Sequence, residues 1–268
     1  MLWKFTRILG QLIQEIKRDN VGAFAAQTAF FVVLSAIPYG IFLFSFIRFI
    51  PIDETEVLRV LENGLPDDVK TFILPVIEEL YNHSVEILSV ATITVLWSSA
   101  KAVQHLSNGL NVIYDLEETR NFVWLRIRSI GYMLAFSVGI IFFVMILLLG
   151  SELEVYLEDV FPLLYFIVNI ILSIRYIILF IFLFLLFLVI LRYLPNRKVR
   201  IGSQTLPALV SASAWVVLSY GLDLYVNIFR GFSVYGSMTT VILFLLWLYF
   251  GIYILFIVAE LEAKFGGR

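Results

Sequence analysis

Several apolar runs in this chain are too long for the core of a soluble domain, and they limit its fold more than any other feature. "RYIILFIFLFLLFLVILRY", residues 175–193, places sixteen uncharged residues between Arg175 and Arg192. A helix that crosses a bilayer core needs about 20 mostly apolar residues. Six segments reach that length: 23–50, 85–104, 129–150, 175–194, 207–229 and 236–259. The apolar piece 163–174 is too short to cross and is cut off by Arg175, so it is expected at the outer interface, with one long tilted fourth helix as the alternative. Composition agrees, since 61% of residues are hydrophobic and only 15% are charged. The expectation is an all-α integral membrane protein with six transmembrane helices.

Basic residues set the orientation, because cytoplasmic flanks are enriched in lysine and arginine. With alternating spans, fourteen of the 19 basic residues fall on the side of both termini and five, Arg48, Arg59, Lys70, Arg175 and Arg230, on the other. Both ends are therefore expected in the cytoplasm. Residues 1–20 carry Leu2, Phe5, Leu9, Leu12, Ile13 and Ile16 on one side of a helix and charges on the other, as in a helix lying on the membrane surface. They lack the basic head and cleavage site of a signal peptide. Residues 21–268 then read as a single six-helix domain, and the loop 51–84 as an acidic outer cap of two short helices, with Pro66 at a helix start.

Composition also excludes functions. The net charge of −2 offers no basic field for nucleic acid, so no nucleic-acid partner is expected. The absence of cysteine removes disulfides, thiolate nucleophiles and cysteine-ligated metals. The two histidines, His83 and His105, are assigned to opposite sides of the membrane, so they cannot share a hydrolytic metal. No phosphate-binding glycine loop or nucleophile elbow is present. The chain is read as a non-enzyme with no metal and no cofactor.

Three polar constellations remain inside this apolar framework. In "VLWSSAKAVQHLSNGLNVIYD", Ser98, Lys101, Gln104, His105, Asn108, Asn111 and Asp115 fall within an arc of roughly 140° on a helix, a stripe about 25 Å long. Either it faces protein or a water-filled cavity, or Lys101 snorkels and the rest form a wet face beyond the membrane. In the first span, Gln27 and Ser35 precede Pro38, which lacks an N–H and clashes with the carbonyl of Leu34. That turn is either a packing kink or a broken-helix binding element. In the fifth span, Ser219, Asp223, Asn227 and Arg230 share one face. Asp223 needs a partner, Arg230 or Arg175, either as a register-fixing ion pair or as a cation or proton site. Glu260, at the end of the last helix, is expected to meet Lys101 or a basic loop residue.

Four quoted segments resemble the YihY/BrkB family of bacterial inner-membrane proteins, formerly labelled ribonuclease BN. They are "AAQTAFFVVLSAIP" with its Ser-x-x-Pro, "LWSSAKAVQHLSNGLNVIYD" with Asn-x-Ile-Tyr, "RYLPNRKVR", and "VYGSMTTVILFLLWLYFGIYILFIVAELEA" with Tyr-Gly-Ser and Ala-Glu-Leu. The resemblance runs from about residue 20 to the end. It implies six spans, both ends cytoplasmic, a place in the inner membrane, and transport as the activity to test. Gln27 and Thr28 depart from the family's more alanine-like start.

The function expected is a transporter or translocator. Spans one, two and five would line a polar path for an ion or a lipid-like amphiphile, using Gln27, Ser35, Pro38, Ser98, Lys101, His105, Asn108, Asn111, Asp223 and Asn227. The charge partners are Arg175, Arg230 and Glu260. The expected partners are membrane lipids and this small substrate. The rival reading is a non-transporting structural or interaction protein of the cell envelope, in which the stripe only holds the bundle together.

Overall fold

The computed structural model describes residues 2–45, 59, 101–121, 123–136, 138–139, 175–228 and 238–265. The described residues form seven helices: α1 (Leu2–Arg18), α2 (Val21–Ser45), α3 (101–113), α4 (123–136), α5 (Arg175–Tyr193), α6 (Ile201–Ile228) and α7 (Met238–Phe265). Three of them are long and apolar enough to cross a membrane, over Tyr176–Tyr193, Ile201–Val226 and Val241–Phe265. These correspond to the expected fourth, fifth and sixth spans. The cap at 51–84, apart from Arg59, and the piece 163–174 lie outside the described residues.

Local chemistry sets the helix ends. α1 closes on Lys17 and Arg18, where cations complement the negative end of the helix dipole. Asn20 follows at φ 50°, a left-handed conformation that asparagine tolerates. Its carbonyl accepts from the N–H groups of Ala23 and Phe24 at 2.9 and 3.1 Å, so one residue ends α1 and starts α2. α3 ends in a Schellman motif. Asp115 sits at φ 55°, its N–H bonds Val112 O at 3.0 Å, and Leu116 N–H bonds Asn111 O at 2.8 Å. Asn121 caps α4 by accepting from Val123 N–H at 3.1 Å.

Two helix ends differ from the sequence expectation. α6 starts at Ile201, not near residue 207, because Ser203 bonds back to the Arg200 carbonyl and organises the first turn. Pro207 therefore falls inside the helix. α7 continues past residue 259 to Phe265, carrying Glu260, Glu262 and Lys264 with it.

By contacts the chain divides into two compact units. One comprises Met1–Leu34, Ala100–Ser129 and Phe180–Arg268, and the other Ser35–Ser99 and Ile130–Leu179. In the first, α7 packs against α6 and α1. The rings of Trp215 and Trp247 meet edge to face at 5.1 Å, Trp247 Nε1 donates to Ser219 Oγ at 2.9 Å, and Gly251 leaves room for the Trp215 ring. Gly109 of α3 lies against Phe24 and Phe256, and a Cβ there would stand 2.6 Å from the Phe256 ring. This close approach joins α2, α3 and α7. Elsewhere the spans are apolar and exposed, with only 11% of the α5 window buried, as suits helices whose backbone is satisfied internally and whose side chains face lipid.

Candidate functional site

The polar face of α3 divides into two parts with different surroundings. In its first half, the His105 ring stacks on Phe31 with centroids 4.5 Å apart and planes 7° from parallel. Lys101 Nζ lies 5.7 Å from the centroid of the same ring, within cation–π range. Phe31 is ten residues into α2, about 15 Å from its first residue at 1.5 Å per residue. Lys101 has no carboxylate partner among the described residues and remains exposed. Gln27, Phe31 and Ser35 follow at four-residue steps on one side of α2, with Gln27 exposed and Ser35 buried. Gln104 and Asn108 are half-buried. Thr28 satisfies its hydroxyl on the Phe24 carbonyl at 2.8 Å.

The second half of the face is a clasp. Ser107 Oγ donates to Leu194 O at 2.8 Å, and buried Asn111 accepts from Asn196 N–H at 2.7 Å while donating to Glu118 at 2.8 Å. Arg120 grips both Glu118 oxygens at 2.6 Å and reaches Leu194 O at 3.1 Å. The Arg120 guanidinium holds the Glu118 carboxyl below its ordinary pKa, with its bond to Asn111 adding to the effect. Asn196 Nδ2 donates to Glu117 O and Thr119 Oγ1, each at 2.9 Å. The turn after α5 is thus tied to α3 and the segment that follows it through the Leu194 carbonyl and the backbone and side chain of Asn196.

An adjoining cluster fastens that turn to α6 and α7. Arg197 lies 3.3 Å above the Tyr114 ring centroid and donates to Glu262 at 2.8 Å. Gln204, fully buried, donates to the other Glu262 oxygen at 3.0 Å. Burial pushes the Tyr114 hydroxyl pKa upward, against the pull of Arg197. Lys264 donates to Glu15 at 3.0 Å, joining the ends of α7 and α1 on this same terminal face.

Several expected partnerships are revised. Glu260 meets neither Lys101 nor the basic loop. It is buried at the α1–α2 corner, facing Asp19, with Glu15 and Arg18 nearby, because α1 turns back against the end of α7. Asp115 leaves the stripe, since α3 has already closed in its left-handed turn. The backbone of α2 stays helical through Ser35 and Pro38, as a kink allows and an unwound element does not. Asp223 is exposed on α6, one turn beyond Ser219, which is engaged with Trp247. Asn227 lies in the last turn of α6, and Arg175 opens α5. Ser98 and Arg230 lie outside the described residues.

Sequence reasoning missed Ser107, Glu118, Arg120 and Gln204. The signal was present only in part. Asn111, Tyr114, Asn196, Arg197 and Glu262 all belong to the four quoted family-like segments, but nothing in their spacing said that those segments meet.

The family model described as Virulence factor BrkB matches residues 12–267. A Bacillus subtilis (strain 168) protein called "Putative ribonuclease-like protein YfkH" is 25% identical over 241 residues, covering 89% of this chain and 88% of that protein. No solved structure matches.

Proposed function

We propose that this chain, which belongs to the virulence factor BrkB family of membrane proteins, is a translocator that carries an ion or a lipid-like amphiphile past the Lys101–His105 face of α3. One observation carries the reading: a lysine and a histidine meet Phe31 about 15 Å into an apolar helix, with no described acid to neutralise the lysine. Half of a 30 Å hydrocarbon core is the same distance. An ionisable group so placed is expensive unless it faces protein or water, and such groups mark substrate and ion paths. The basic bias supports a cytoplasmic terminal face and a place in a bacterial inner membrane. Gln27 extends the path along α2, and Asp223 supplies a polar group on α6.

A second reading draws on the clasp. Asn111, with Ser107 beside it, is engaged in tying the turn after α5, so this member of the expected stripe is explained by stability alone. If Lys101 and His105 serve the same end, the protein is a structural or interaction component of the envelope. The relative's ribonuclease-like name suggests hydrolysis, yet among the described residues no three His, Cys, Asp or Glu side chains gather as metal ligands.

Purified protein in liposomes, assayed for ion flux and for movement of fluorescent lipid, separates the two. The transport reading expects activity that falls at least tenfold in Lys101→Ala and His105→Ala while the melting temperature holds. Loss of stability with per-molecule flux unchanged would favour the structural reading.

A further inference from the structure

Beside the clasp lies a cavity of about 280 Å³ lined by Arg120, Arg128, Arg192, Arg197, Lys198 and Asn196, together with Tyr193 and Pro195. Five cations line it and no carboxylate does. Arg120 and Arg197 spend part of their donor capacity on Glu118 and Glu262, and Arg192 donates to the Val199 carbonyl. The Nε–H groups of Arg192 and Arg197 are nevertheless buried without a hydrogen-bond partner. A guanidinium has five donors and no acceptor, so an acceptor oxygen reaching these N–H groups would satisfy them. A phosphate supplies several anionic oxygens at once, and arginine's planar fork suits it.

The position of the cavity says what bears the phosphate. Arg192 and Tyr193 form the last turn of α5, an apolar helix long enough to cross a membrane. Ile181, Leu185, Val189 and Tyr193 follow at steps of four, and all four are exposed, so an apolar stripe runs along α5 and ends at the cavity wall. An aromatic and a basic residue at the end of an apolar span mark the headgroup level, and basic pockets between helices hold anionic headgroups there. We propose that this cavity binds the phosphate of an anionic phospholipid, whose acyl chains lie along the Ile181–Leu185–Val189 stripe. The inference does not rest on transport. Such a lipid is a resident in a protein that moves nothing and a substrate or its neighbour in one that does.

The test is native mass spectrometry of the full chain in detergent micelles, titrated with phosphatidylglycerol, phosphatidylcholine or inorganic phosphate. Wild type is expected to bind phosphatidylglycerol at least tenfold more tightly than phosphatidylcholine. R192Q/K198Q should lose at least tenfold of that affinity, and K4Q/K17Q, with the same charge change on α1, less than twofold. Lys198 is exposed on the turn, so K198Q alone keeps the fold and should lose about threefold. Equal binding of the two lipids, an unchanged K198Q, or an equal loss in K4Q/K17Q would overturn the site. Displacement of the lipid by millimolar inorganic phosphate would overturn the lipid as its ligand and leave a site for free phosphate. Flux assays enter none of these outcomes, so failure here and failure of the transport reading are separate results.

Discussion

The guanidinium of Arg197 lies 3.3 Å above the Tyr114 ring and grips Glu262 at 2.8 Å, so one side chain joins the end of α3 to the end of α7. Arg197 and Glu262 are 17% and 13% exposed, which places the pair well out of bulk water. Arg197→Ala strands a largely buried carboxylate and is expected to cost about 3 kcal/mol, as removal of one partner of a buried pair does. Arg197→Lys keeps the charge but loses the planar stack and the fork, and should recover less than half of that cost. Thermal unfolding of the detergent-solubilised protein measures both. A Lys variant as stable as wild type would show that charge alone suffices.

Asn111→Ala removes two hydrogen bonds at a buried position, and Ser107→Ala removes one. At roughly 1 kcal/mol per bond, the expected losses are about 2 and about 1 kcal/mol. Ser107 and the Asn111–Asn196 bond hold the same turn, so the double variant should lose less than the sum. A double-mutant cycle on melting temperature checks this, and strict additivity would mean that the two side chains act on independent structures.

Gly109→Ala sets a methyl group 2.6 Å from the Phe256 ring. Overpacking of this kind costs about 1–3 kcal/mol. Phe256→Leu in the same chain should restore part of the stability. If Gly109→Ala alone melts like wild type, α3 does not approach α7 as closely as described.

Acid should loosen the clasp through Glu118. Its folded-state pKa is depressed, first by the hydrogen bond from Arg120, so its contribution is complete above the ordinary carboxylate range and is lost as pH falls below that range. Glu118→Gln removes this dependence. The melting temperature of wild type is expected to approach that of Glu118→Gln as pH falls below about 4. Parallel curves for the two proteins would mean that the carboxylate is not held by Arg120 in solution.

Hydropathy made the long helices legible because a bilayer requires continuous apolar length, and α1 was legible because its two faces differ in every turn. The ends of α3 and α6 were less so. Asp115 adopts a left-handed turn usually given to glycine, and α6 starts at Ile201, six residues before Pro207, with Ser203 organising its first turn. The clasp was hidden for a different reason. Its long-range bonds join residues 74 to 87 positions apart, such as Arg120 with Leu194 and Ser107 with Leu194, and helical periodicity shows which residues share a face but not which face meets which. The stripe on α3 was therefore read as one feature, whereas Asn111 serves the clasp, with Ser107 outside the stripe, and Lys101 and His105 meet α2.

Whether Lys101 and His105 face water within the membrane is open to direct measurement, because the chain contains no cysteine. Single-cysteine variants Lys101→Cys and His105→Cys, with Ile181→Cys as a lipid-facing control, can be treated in native membranes with a charged, membrane-impermeant thiol reagent. The expected result is labelling at 101 and 105 and none at 181. Protection of 101 and 105 in the membrane, with full labelling only after denaturation, would contradict a solvated path.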